Sequence, residues 1–192
     1  MLAISGSLRA GSSNTAVLEA IAALAPADVS VEIYSGLADL PHFNPDLDTE
    51  MPPPAVRDFR VRLQASDGVL ISSPEYAHGV PGSLKNALDW LVRSGELYEK
   101  SVALVNLSPR STYAQASLME TLTTMTAKII AQACVTLALP NRDMLPAAMC
   151  ADAEISRSLS AAIGAFARAT TAVGENIEFL ETSNYDLRPR KM

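Results

Sequence analysis

The apolar run Met1 to Ile4 passes directly into Ser5-Gly6-Ser7-Leu8-Arg9-Ala10-Gly11-Ser12-Ser13-Asn14-Thr15, and from there into a segment whose Val17, Leu18, Ile21 and Leu24 keep helical spacing. A strand, a loop of small residues and a helix start follow one another, and a strand feeding a helix in this way suits a parallel sheet. The same stretch has the makings of an anion cradle. Gly and Ser let main-chain N–H groups come close to a ligand, and the first turn of a helix carries unpaired donors and the positive end of the helix dipole. Ser7, Ser12, Ser13, Asn14 and Thr15 add short polar side chains, and Arg9 adds a fork matched to phosphate oxygens. One capping residue is enough to start a helix. The others, with Arg9 among them, point to a bound phosphate.

Two common phosphate loops fail here. No Lys followed by Ser or Thr comes after a second Gly, and the Gly-x-Gly-x-x-Gly fingerprint of dinucleotide folds is absent. What remains suits a terminal phosphate monoester. Gly6, Ser7, Arg9, Ser12 and Asn14 meet the pattern Gly-Ser-x-Arg-x-x-Ser-x-Asn, so the loop resembles that of the NADPH-dependent FMN reductase family of flavodoxin-like proteins.

Beyond the cradle, periodicity predicts helices over 14–25, 55–66, 81–92, 113–132 and 151–180. Strands are expected over 29–34, 67–72, 102–107 and 134–139. The apolar run of Val69 to Ile71 marks a strand covered on both faces. Residues 35–54 are irregular, with five prolines and an acidic set of Asp39, Asp46, Asp48 and Glu50. Counting the first, five strands alternate with helices, which implies an α/β doubly wound parallel sheet with right-handed crossovers. The resemblance implies the flavodoxin-like three-layer α/β/α version with strand order 2-1-3-4-5, as one domain over 1–180 and a polar tail over 181–192. In such sheets ligands sit beyond the carboxyl ends of the strands, where strand order reverses.

The second motif begins where the third strand ends. In Pro74-Glu75-Tyr76-Ala77-His78-Gly79-Val80-Pro81-Gly82, the prolines stop pairing and then start a helix, and the glycines relax the backbone. A rigid loop with exposed main-chain donors is expected. Pro74, Glu75, Tyr76, Pro81, Gly82, Leu84, Lys85, Asn86, Asp89 and Trp90 match the stretch that lies against the flavin ring in FMN reductases. The family's Asn after Tyr is Ala77 here, which leaves that contact to main chain or to His78. Trp90 falls on an apolar helix stripe with Leu84, Leu88 and Leu91 and reads as core or interface; Lys85, Asn86 and Asp89 read as holding that helix, its neighbours or a dimer contact. A third loop, Asn106 to Gln115, lacks the family's glycines. Ser108, Arg110 and Ser111 either line the flavin edge or meet the nicotinamide nucleotide, or else form a helix cap with a solvent Arg.

The resemblance implies an enzyme that takes hydride from NADPH or NADH onto FMN and passes electrons to a quinone, flavin, azo or metal-ion acceptor. The cofactor-binding set is then Ser7, Arg9, Ser12, Ser13, Asn14, Thr15, Pro74, Glu75, Tyr76, Ala77, His78, Gly79 and Ser108, with no catalytic side chain, because the cofactor carries the chemistry. Two alternatives stand beside it: a flavodoxin-like electron carrier, and a non-catalytic phosphate-ligand binder of the same fold. A net charge of −6 argues against a nucleic-acid surface. The two histidines, His42 and His78, build no metal site by spacing. Cys134 and Cys150 read as reduced packing residues, and no run has the apolar length to cross a bilayer, so a cytoplasmic protein without membrane contact is expected. The resemblance also implies a homodimer or homotetramer, with Leu84 to Leu91 as a contact.

Overall fold

A computed structural model describes residues 1–141 and 143–183. Its strands are β1 (Leu2–Ser5), β2 (Glu32–Tyr34), β3 (Gly68–Ser72), β4 (Ser101–Asn106), β5 (Lys128–Ile129) and β6 (Val135–Thr136). The helices are α1 (Ser13–Leu24), α2 (Pro54–Gln64), α3 (Gly82–Asp89), α4 (Tyr113–Thr124), α5 (Pro146–Ala151) and α6 (Ala153–Ser183). All pairings are parallel, in the order β2-β1-β3-β4-β5, with β6 also on β4. This is the flavodoxin-like order expected from the sequence.

Successive side chains of a strand point to opposite faces, so each central strand feeds two cores. Leu2, Ile4, Val69, Ile71, Val102 and Leu104 face α2, α3 and α4, whose Val56, Phe59, Leu63, Leu84, Leu88, Leu118 and Leu122 pack on them. Ala3, Leu70, Ala103 and Val105 face the other way, onto Val17, Leu18 and Ile21 of α1 and Leu159, Ile163 and Phe166 of α6. Burying each such large side chain contributes about 1.5–3 kcal/mol. The outcome is three layers.

Leu84, Leu88 and Leu91 are all consumed by this core, at no more than 2% exposure, and therefore offer no contact surface to a second subunit. Trp90 is buried too, edge-on to Phe43 at 5.1 Å, and its indole N–H donates to the Pro41 carbonyl at 2.8 Å. Asn86 donates to the same carbonyl and accepts from the Phe43 N–H. The motif residues of α3 thus hold the proline-rich segment down, while Lys85 and Asp89 pair along the helix. Further along that segment, Arg60 binds the buried Asp48 at 2.8 Å and lies 3.8 Å from Glu96.

Three expectations about the elements are corrected. The helix expected to run to 132 stops at Thr124, and the expected fifth strand is split into β5 and β6 around a short 3-10 turn at Ala131–Ala133. Thr126, at φ 60°, closes α4 with its N–H on Thr123 O and the Ala127 N–H on Leu122 O. That is a Schellman ending with Thr where Gly is usual, so the sequence signal for the stop is missing. The helix expected over 151–180 begins at Ala153 as α6, and an unexpected short helix, α5, precedes it; between them the Asp152 carboxylate accepts from the N–H groups of Glu154 and Ile155. Most of the tail expected over 181–192 lies outside the described residues.

Candidate functional site

The loops after β1, β3, β4 and β6 converge at the carboxyl edge of the sheet around a cavity of about 520 Å³, a size typical of small-molecule sites. β1 and β3 are neighbours whose chains leave in opposite directions, so the cavity sits where strand order reverses.

On the β1 side lie Ser7, Arg9, Ser12, Ser13 and Asn14. Ser12 caps α1, with its Oγ accepting from the Asn14 N–H at 3.2 Å. The N–H groups of Leu8, Ala10, Gly11, Ser12 and Ser13 donate to no described residue, and those of Ser12 and Ser13, which line the cavity, lie at the positive end of α1. Asn14 is buried and spends its Oδ1 on the Ser72 hydroxyl, keeping its amide hydrogens for donation. Thr15 lies outside the lining; its hydroxyl donates to Ser5 Oγ at 2.9 Å and supports the loop from behind. Gly6 is required here by space. A Cβ on it would stand 2.7 Å from Ser73 Oγ and 3.1 Å from Leu84, so the cradle and the loop after β3 touch through that glycine.

On the β3 side the lining is Ser73, Pro74, Glu75 and Tyr76. Tyr76 and Gly79 exchange main-chain hydrogen bonds around Ala77 at φ 49° and His78 at φ 62°, the positive angles that a type I′ turn demands. Neither is a glycine, and each such angle costs about 1 kcal/mol or more. Two contacts hold the turn against α4. Glu75 Oε2 accepts from the Ala114 N–H at 2.9 Å, and the His78 ring stacks on Tyr113 with centroids 4.2 Å apart and planes 14° apart. Ala77, His78 and Gly79 consequently lie outside the cavity lining, with His78 engaged by Tyr113.

The third wall is Asn106, Leu107, Ser108, Pro109, Arg110 and Ser111. Asn106 organises it, accepting from the Ser108 N–H and donating to Ser111 O, while Ser108 Oγ accepts from the Arg110 N–H. Side-chain turns therefore shape this loop, which holds no glycine. Ala138 and Leu139, after β6, close the fourth wall. Sequence reasoning left out Ser73, Asn106, Ala138, Leu139 and Asp143, whose Oδ1 takes the Arg9 guanidinium at 2.8 Å. The polar Asn at the end of the β4 run was a usable signal for Asn106; nothing local marks the others.

Among the described residues no group of His, Cys, Asp or Glu is arranged to hold a metal ion, and no helix is long and apolar enough to cross a membrane. Cys134 and Cys150 are free, and burial pushes the Cys134 thiol up, away from the reactive thiolate.

A family model for NADPH-dependent FMN reductases matches residues 1–140. The chain belongs to that family. Among relatives of the FMN reductase family, an NAD(P)H-dependent FMN reductase of Pseudomonas aeruginosa is 42% identical over 96 residues, covering 50% of this chain and 51% of the relative. A quinone reductase of Escherichia coli is 43% identical over 89 residues, covering 46% and 47%. The chain spans about half the length of the curated relatives it matches. In structure it is similar to a flavoenzyme NAD(P)H:(acceptor) oxidoreductase of Paracoccus denitrificans, with TM-score 0.69, 25% identity and coverage of 89% of this chain and 96% of the other. The fold is shared with flavodoxin 1 of Bacillus cereus, at TM-score 0.58, 15% identity and coverage of 87% and 96%.

Proposed function

We propose that this protein is an FMN-dependent oxidoreductase that takes hydride from NADPH or NADH and passes electrons to a small acceptor, of the quinone, flavin, azo or oxidised metal-ion classes. One observation carries the reading. One cavity is lined both by Arg9 with Ser12 and Ser13, whose N–H groups have no acceptor among the described residues, and by the Pro74 to Tyr76 loop. This is a fit for a phosphorylated planar heterocycle: the donor end matches a dianion and the loop end matches a flat ring edge.

Bound FMN would supply the hydride and electron transfer itself. Ser7, Arg9, Ser12, Ser13 and Asn14 would bind the phosphate by charge-assisted hydrogen bonds, with Thr15 bracing Ser5 behind them. Pro74, Glu75, Tyr76 and Ser108 line the other end, where they would lie beside the ring and the Glu75 N–H, which has no acceptor among the described residues, would be available to it. Ala77, His78 and Gly79 serve that end by fixing the turn through its bridge and the Tyr113 stack. Glu75 is a positioning residue, joining the ring loop to the first turn of α4. Nothing in this arrangement calls for a side-chain nucleophile.

A homo-oligomer and a cytoplasmic setting belong to the same proposal. Free, partly buried cysteines support the setting. Exposed Val92 and Tyr98, rather than Leu84 to Leu91, support a contact beyond the end of α3.

The test is reconstitution followed by reduction. Protein incubated with FMN and desalted is expected to keep a yellow absorbance band, and anaerobic mixing with NADPH or NADH is expected to bleach it within seconds. A band that persists with both donors points to an electron carrier, and a colourless protein overturns the flavin assignment.

A further inference from the structure

Arg9, which lines the cavity, reaches a residue 134 positions away, bonding Asp143 Oδ1 through Nη2 at 2.8 Å. The guanidinium belongs to the cradle loop, while Asp143 sits on the segment after β6 whose Ala138 and Leu139 form one wall of the same cavity. Both partners are about two-thirds exposed, so the bond contributes little to folding. Its placement matters more than its strength. Arg9, the cationic side chain among the described residues that line the β1 side of the cavity, is committed to a carboxylate of this chain.

We infer that Asp143 is an internal competitor for the phosphate end of the cofactor, setting how tightly the cradle holds a phosphorylated ligand. This rests on the reading that an FMN phosphate occupies the cradle. A dianion arriving at the donors of α1 meets Arg9 already paired. It must share or displace Asp143, and it meets that carboxylate as a like charge at close range. The cradle without Asp143 presents one positive charge to two negative ones; with Asp143 that positive charge is already neutralised. The carboxylate therefore lowers affinity for the phosphorylated flavin while leaving a flavin without phosphate unaffected, and taking Arg9 away from Asp143 unties the two walls that the bond now joins.

The experiment titrates FMN and riboflavin, the same ring without the phosphate, into the full-length protein and reads flavin fluorescence. Wild type, Asp143→Asn, Asp143→Glu, Arg9→Ala and the Arg9→Ala/Asp143→Asn double variant are compared. Asp143→Asn is expected to bind FMN about threefold to tenfold more tightly, the range expected from releasing an exposed ion pair and a nearby like charge. Riboflavin affinity stays as in wild type, and Asp143→Glu, which keeps the charge, stays near wild type for FMN. In the Arg9→Ala background the part of the gain that comes from releasing the guanidinium is lost and only the like-charge part remains, so the gain from Asp143→Asn is smaller than in wild type. FMN affinity that is unchanged or weaker in Asp143→Asn overturns the inference, as does a gain that riboflavin shares. Wild type that binds riboflavin as tightly as FMN overturns instead the placement of the phosphate, so the two failures are told apart.

Discussion

Replacing Gly6 with Ala tests whether the two halves of the cavity are held in register by direct contact. The new methyl carbon would lie 2.7 Å from Ser73 Oγ, 3.1 Å from Ser73 Cβ and 3.1 Å from Leu84 Cδ2. Leu84 is fully buried in the core beneath, so it has no room to retreat. The Gly6 N–H also donates to Ser72 O at 2.8 Å, which pins the backbone on the opposite side. Because Gly6 is not held at a positive φ, the cost is steric rather than conformational. Overpacking of this kind costs about 1–3 kcal/mol. For a chain of this size each kcal/mol lowers Tm by about 2–4 °C. Thermal melts of the apoprotein therefore should show a fall of several degrees. Ser73→Ala removes the tightest of the contacts and leaves the two at 3.1 Å. Combined with Gly6→Ala it should recover about 0.5–1 kcal/mol, measured as the coupling energy of a double-mutant cycle. FMN affinity should fall in Gly6→Ala as the cradle is pushed away from the ring loop, and partly return in the double variant. A Gly6→Ala protein that melts like wild type and binds FMN normally would refute the contact as the element that sets the spacing.

Tyr34 is buried, and desolvation, helped by Asp58, pushes its hydroxyl from about 10 up to about 12. The unfolded chain then releases that proton first, so stability present below pH 10 should be lost as the pH rises toward 12, by at most about 2–3 kcal/mol. Urea melts across that range should show the slope, and Tyr34→Phe should flatten it. Glu75→Ala removes the acceptor of the Ala114 N–H and should cost about 0.5–2 kcal/mol, whereas Glu75→Gln, which keeps an oxygen there, should cost only the charge at the helix end, about 0.3–1 kcal/mol; equal losses in chemical denaturation would argue against the cap. Ala77→Gly relieves a positive φ in the ring loop and should raise stability by roughly 0.5–1 kcal/mol, seen as a higher Tm without loss of flavin binding. A lower Tm would mean that the turn is not strained.

Much of this protein was legible in its chain because the informative features are local. Alternation of apolar runs with helical periods carried the alternation of strands and helices, and Gly6 to Asn14 carried the expectation of an anion cradle, since unpaired N–H groups and short polar side chains at a helix start act within a few residues of one another. The role of Trp90 and Asn86 as anchors rather than reactants was also readable, from an apolar stripe on one helix. The end of α4 was not, because a Thr adopts the left-handed ending that Gly usually marks, and the energy that keeps it there comes from β5 and β6 pairing on β4.

The chain alone determined which groups the first loop offers: backbone donors and a guanidinium, the kinds that suit an anion. Only the tertiary structure decided which partners those groups meet. Asp143 reaches Arg9, Glu75 reaches the start of α4, and His78 reaches Tyr113 across sequence separations that no local pattern records. Long-range charge pairing and stacking depend on distances in space, and those are set by how the two cores close over the sheet.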